Sequence, residues 1–465
     1  MTGPFLPLIP NWISGCVGSY EFRTEIIQSR SGSEQRIAWR QYPRRQIEFS
    51  AWAPQHVYRE LAQRLRRPTA ERPLLPDPTE DSTQVETSFG SGATVFRVID
   101  VPRWLVPGAR LVFCSPQRVE CVTVADVVGV SITLESATVE GWPAGTVVLP
   151  AVAADLAEVL QTEVATPNLV TGSVSAALAP GENAADLFGS PGHTHDGREV
   201  ALFRPNLVSL PSIQFEQPVE LLDVTLGRVG RYAPIALAPR TMQFVFTARR
   251  RAEVVDLVRF FCRQRGRRGE FYAPTWMDDL RPIAVGPDSF TSGDKYVGAN
   301  YGNLSEYSAV AICTKRFGVV TRRVTSIVDT PGGSVVTISG SMPGVPPSEI
   351  EMISWLPLVR FASDVLAVDW QTSKFANVTV SLTALPTQAD LGGEDALDRG
   401  AGWFYSEFGD NIDWVFTDPF DRFINVEYPR IMRDATEFGY GWDRYVGEPL
   451  GRFVNVEYPR IMENY

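Results

Sequence analysis

Histidine is nearly absent from this chain, with 3 in 465 residues. That scarcity argues against a serine–histidine hydrolase, and no G-x-S-x-G elbow, Walker A loop or G-x-G-x-x-G turn occurs. Cysteine is sparse as well. The 5 present (Cys16, Cys114, Cys121, Cys262, Cys313) are scattered, with no C-x-x-C pair for zinc or thiol exchange, and buried free thiols are expected. No apolar run approaches the roughly 20 residues that span a bilayer, so no membrane span is expected. The first twelve residues carry prolines and no basic flank, unlike a secretory signal, and folding in the cytoplasm is the expectation. An excess of positive charge is lacking too. Lys+Arg total 43 against 54 Asp+Glu, a formal net charge of −11 that disfavours a dedicated nucleic-acid binder, since phosphate contact needs a basic face.

What is present is a hydrophobic content of 44% with 21% charged residues, the balance of a soluble globular protein. The length exceeds one ordinary core and predicts several domains. The chain reads as if written twice. Phe22 to Arg67 and Val219 to Arg265 share an alternating apolar run, a Pro-Arg pair (Pro43-Arg44, Pro239-Arg240), a second run and an Arg-rich amphipathic segment. Tyr20 to Ile27 suits a half-buried strand, and Arg36 to Trp39 and Gln46 to Phe49 suit two more. Val57, Leu61 and Leu65 recur at helical spacing; so do Val254, Leu257, Val258 and Phe261, with Gly266 as a stop signal. A β-rich stretch follows each helix. "DLAEVLQTEVATPNLVTGSVSAAL" (Asp155 to Leu178) and "DVLAVDWQTSKFANVTVSLTAL" (Asp364 to Leu385) close the two copies alike.

The fold class expected is therefore mainly β with α+β elements. It is a tandem duplication of a split α/β unit, each with an inserted small β-barrel or sandwich, plus an extended C-terminal tail. The first α/β unit covers 1–85, closed by strands near 155–178, with an inserted β-domain at 86–154. A Gly/Pro-rich linker covers 179–206. The second unit covers 207–283, closed by strands near 362–386, with its inserted β-domain at 284–361. Residues 387–465 form a repeated docking extension, in which "DRFINVEYPRIM" and "GRFVNVEYPRIM" are nearly identical. Phe423, Tyr428, Phe453 and Tyr458 are aromatic positions of that repeat, and a proline after each tyrosine favours short extended strands. Such strands dock either on their own body or, by strand addition, on a neighbour.

Candidate chemistry is thin. Gly192-His193-Thr194-His195-Asp196 can project His193 and His195 toward one metal, with three such loops completing a site in a symmetric oligomer; a polar linker loop is the other reading. The adjacent Asp278 and Asp279 suit a solvated turn better than a glycosidase, whose carboxyls oppose each other across a cleft. Arg249 and Arg250 form either a solvated face or a contact with an acidic neighbouring subunit. Trp414 and Trp442 fit interface anchors or sugar platforms, with interface use favoured. No catalytic residue and no cofactor is assigned, and the chain is not expected to be an enzyme.

With "PRRQIEFSAWAPQHVYRELAQRLRR", "ARRRAEVVDLVRFFCRQRGRRGEFYAPTW" and "WLPLVRFASDVLAVDWQTSKFANVTVSLTALP" in view, the chain resembles distal tail (tail-tip, baseplate) proteins of long-tailed bacteriophages. The resemblance covers most of Phe22 to Pro386 and leaves the tail outside. It implies a structural virion protein, assembled in the host cytoplasm. Its ring at the tail tip would join the tail tube protein to the tail hub protein and to receptor-binding or fibre proteins. Three chains would supply six modules; a hexamer of chains is the alternative. A competing reading is a carbohydrate- or receptor-binding baseplate module.

Overall fold

In the computed structural model the chain is mainly β, with short helices. The structure describes residues 5–28, 34–66, 71–156, 162–180, 187–206, 211–216, 220–223, 229–232, 240–302 and 304–385. The readings of the C-terminal extension, including Trp414, Phe423, Tyr428, Trp442, Phe453 and Tyr458, lie outside the described residues.

The first half opens with β1 (Ile9–Glu21), β2 (Thr24–Gln28), β3 (Glu34–Ala38) and β4 (Arg44–Pro54). The strand expected over Tyr20 to Ile27 is in fact two, broken at Phe22. That side chain turns into the core against Phe261, and its N–H donates to the Asp364 carbonyl. β4 alternates strictly: Arg45, Ile47, Phe49, Ala51 and Ala53 are buried, while Arg44, Gln46 and Glu48 are exposed, as the two-residue period of a one-sided strand requires. Pro54 leads into α1 (Gln55–Leu65), which buries Val57 and Leu61.

β5 (Leu74–Pro76) leads to an inserted domain of β6 (Thr83–Gln84), β7 (Val95–Arg97), β8 (Arg110–Cys114), β9 (Val119–Val128), β10 (Ser131–Leu134) and the start of β11 (Val147–Leu156). Its strands run β6–β11–β8–β9–β10–β7, and the Val85↔Val98 bridge links the two ends, so the sheet closes on itself. Closure removes sheet edges. Inside, Phe113 stacks on Trp142 with ring centroids 5.4 Å apart. β12 (Thr162–Thr166) and β13 (Leu169–Leu178) then complete the half.

The second half follows a short hairpin, β14 (Thr194–His195) and β15 (Arg198–Glu199). It runs β16 (Ser212–Phe215), β17 (Glu220–Asp223), β18 (Val229–Tyr232), β19 (Arg240–Ala248), α2 (Arg251–Gln264) and β20 (Phe271–Tyr272). α2 buries Val254, Leu257, Val258 and Phe261 and ends where Arg265 (φ 54°) and Gly266 (φ 65°) turn left-handed. A second inserted domain holds β21 (Pro282–Val285), β22 (Ser289–Ser292), α3 (Val297–Tyr301), β23 (Ala309–Thr314), β24 (Gly318–Thr330), β25 (Gly333–Ile338) and β26 (Ile350–Trp355). Its order is β21–β22–β25–β24–β23–β26. Traced from β6, the first inserted domain follows the same path: β6–β7–β10–β9–β8–β11. β27 (Leu358–Phe361), β28 (Val365–Trp370) and β29 (Ala376–Ala384) end the described chain.

Across the body, one antiparallel sheet runs β12–β13–β4–β1–β28–β29–β19–β16. Each half contributes four strands in the same succession. A single core spans both, including Ile47, Phe49 and Val174 from the first and Phe244, Phe361 and Val368 from the second. The stretch read as a linker is packed over 187–206: Phe188 and Phe203 lie against this core, and Val200 joins a small cluster with Ala309, Ala311 and Leu356.

By internal contacts the described residues divide into two units, the second holding Glu220–Asp223 and Val229–Tyr232 and the first holding the rest. Within the second, the antiparallel hairpin β17–β18 is described. Among the described residues no helix is long and apolar enough to cross a membrane.

Candidate assembly interface

The feature that organises the body is the seam between its halves. β1 belongs to the first half by sequence, yet six of its residues pair with β28, from Cys16↔Trp370 to Glu21↔Val365. Its other edge pairs with β4. Each backbone hydrogen bond contributes about 1 kcal/mol net, so the ladder alone is a modest tie. Side chains add the rest.

Asp364, just before β28, is the focus of one cluster. Its carboxylate accepts from the backbone N–H of Thr24 (2.6 Å) and of Arg267 (2.9 Å), and the Arg267 guanidinium lies 3.3 Å away. Arg267 also donates to the Thr24 carbonyl at 2.7 Å. Gly266 is required at this point. A Cβ there would sit 2.5 Å from an Asp364 carboxylate oxygen, on a backbone already at positive φ. Nearby, Glu34 of β3 receives both arms of Arg360, and Arg36 pairs with Glu270. The bidentate fork fixes direction as well as distance.

A second cluster lies around Arg45 and Arg251. Arg45, buried in β4, reaches Glu80 at 3.0 Å and the fully buried Asp77 at 3.4 Å. Burial disfavours its charge, but the neighbouring Tyr20, Glu80 and Asp77 outweigh that and hold its pKa above the ordinary value. Burial likewise pushes Tyr20 up to about 12. From the other half, Arg251 donates to the Thr79 carbonyl, lies 3.4 Å from Asp81 and sits over the Trp370 ring at 4.0 Å. A desolvated cation on tryptophan adds roughly 2 kcal/mol. Arg251 and Trp370 both belong to the second half, so the ring holds Arg251 in place, while its contacts to Thr79 and Asp81 and the β1–β28 ladder cross the seam.

The residues singled out from sequence fall elsewhere. Arg249 and Arg250 are exposed at the start of α2, while their neighbour Arg251 works at the seam. A signal for this existed: Arg251 shares the helical face of Val254, Val258 and Phe261. His193 is exposed and its Nε2 lies 2.8 Å from the Thr321 hydroxyl. His195 is buried edge-on against Tyr272, 5.0 Å between centroids, with Asp196 at 3.7 Å; burial lowers its pKa. The two imidazoles thus contact different elements, β24 and β20. Among the described residues no group of three or more His, Cys, Asp or Glu is arranged to hold a metal.

Asp279 serves structure, taking hydrogen bonds from Thr275 and from the Trp355 N–H at 2.9 Å, and burial raises its pKa. The cysteines are free. Cys16, Cys262 and Cys313 are buried as expected, whereas Cys114 and Cys121 are half-exposed because they sit at strand positions on the outer side of the first inserted domain's core. Burial pushes Cys16 and Cys262 up to about 12 and Cys313 to about 11, so these three stay as thiols near neutrality. Compared with known proteins, the sequence matches no family model and no curated protein.

Proposed function

We propose that this chain is a structural protein of a bacteriophage tail tip, forming a ring that connects the tail tube to the central hub and the receptor-binding apparatus. One observation carries the reading. The leading strand of the first half completes its pairing on the second half, so two similarly built modules join head to tail through unlike surfaces. Contacts of that kind close into rings when the rotation between modules closes. The sequence resemblance to distal tail proteins supports a position at the tail tip, and the two halves are proposed to be copies of one ancestral module. Three chains would then present six modules, matching six-fold tube to three-fold hub. Native mass measurement of the purified chain tests this: a trimer or hexamer is expected, and a strict monomer at micromolar concentration would contradict it.

A further inference from the structure

We infer that a second copy of this chain binds by adding its β12 edge to the β16 edge of the first, repeating between chains the pairing that β1 and β28 make within one. The inference deepens the ring proposal and rests on it. It adds the strands, the direction and the register.

The two outermost strands of the body sheet are β12 and β16. Among the described residues β12 pairs within the body only with β13, and β16 only with β19. Every residue of β12 is exposed, and so are most of β16. Both edges show apolar side chains to solvent, Val164 at 73% and Phe215 at 63% exposure. Unpaired strand edges that also expose an apolar side chain invite pairing with another chain, and proteins normally cover such edges.

The occupant follows from the order of the sheet. Its two four-strand blocks, β12–β13–β4–β1 and β28–β29–β19–β16, follow one succession. β12 thus holds in the first the place of β28 in the second, and β16 holds the place of β1. The internal seam joins β1 to β28. The same rule, applied at the free ends, joins β16 of one chain to β12 of the next.

Register follows by matching the buried Arg45, Ile47 and Phe49 of β4 with Arg240, Met242 and Phe244 of β19, and carrying that match through the neighbouring pairings. Cys16 then corresponds to Pro211, and Tyr20 to Phe215. Trp370 corresponds to Val164, and Asp369 to Glu163. The seam pairs Val17 with Asp369 and Gly18 with Val368. The intermolecular ladder therefore sets Ser212 opposite Glu163 and Ile213 opposite Thr162, antiparallel.

Arg360 and Glu270, which receive the β2–β3 hairpin at the seam, correspond to Asp155 and Arg72, where the two charges are exchanged and pair with each other. That pair lies at the surface, 2.9 Å apart with 55% and 48% of the side chains exposed.

The test is disulfide trapping in the full-length chain with two double variants, Thr162→Cys/Ile213→Cys and Glu163→Cys/Ser212→Cys. Facing residues in an antiparallel ladder stand about 4.5–5.5 Å apart, within disulfide reach. Mild oxidation should give covalent multimers up to the ring size for at least one pair and none for the single variants. Val164→Lys with Phe215→Lys, both exposed and so tolerated by the fold, should weaken association at least tenfold at unchanged circular dichroism. Oligomers by native mass without any cross-link, and indifferent to the lysines, would overturn this pairing and leave the ring reading standing. A monomer by native mass would overturn both.

Discussion

Glu34 and Arg360 meet across the seam through two parallel hydrogen bonds of 2.8 Å, with 10% of each side chain exposed. They are 326 residues apart in sequence. Replacing Glu34 with Gln leaves a largely desolvated guanidinium without its counter-charge, which costs about 3 kcal/mol. Denaturant unfolding should show that loss. A double-mutant cycle with Arg360→Gln should recover a coupling of at least about 1 kcal/mol; additive losses would mean that the pair does not hold the seam.

Gly266→Ala makes a separate prediction at the same seam. The added methyl meets Asp364 and the backbone remains at φ 65°. A loss of roughly 1–3 kcal/mol is expected. Thermal unfolding measures it, and a neutral result would mean that the α2 terminus and Asp364 are not packed as described.

Phe113→Ala tests the independence of the first inserted domain. The ring is fully buried and lies 5.0 Å from Phe96 and 5.4 Å from Trp142. Truncation should cost about 3–5 kcal/mol. Because this core is separate from that of the body, hydrogen exchange should rise between Val85 and Val148 before it rises in β4 or β29.

His195 gives a pH dependence. Burial lowers its pKa below the ordinary 6.5, so the folded chain binds this proton less readily than the unfolded chain. The resulting stability is complete above the unfolded value and is lost as pH falls from there through the folded value. His195→Gln should flatten the fall in denaturant midpoint between about pH 7 and about pH 5. An unchanged slope would show that the ring is not buried against Tyr272.

The local elements were legible because their signals are local. The stripe of Val254, Leu257, Val258 and Phe261 marks α2, Gly266 marks its end, and alternation through Ile47 and Phe49 marks β4. The mainly β class followed from the same patterns. The seam was not legible. Asp364 looks like any turn aspartate until the fold brings Thr24 and Arg267 to it, and β1 gives no sign in sequence that its partner is β28. Arg249 and Arg250 drew attention through charge density, whereas Arg251 matters through its position on the buried face. His193 and His195 share a motif spacing, but their partners, Thr321 and Tyr272, lie on different elements. Non-local pairing of this kind is set by the whole core, not by a short window.

Electron microscopy of intact phage particles carrying a labelled copy of this chain tests the proposed tail-tip position. Label is expected on a closed ring of three or six chains at the end of the tail tube, around the hub. Label on peripheral fibres, or no ring at that position, would contradict it.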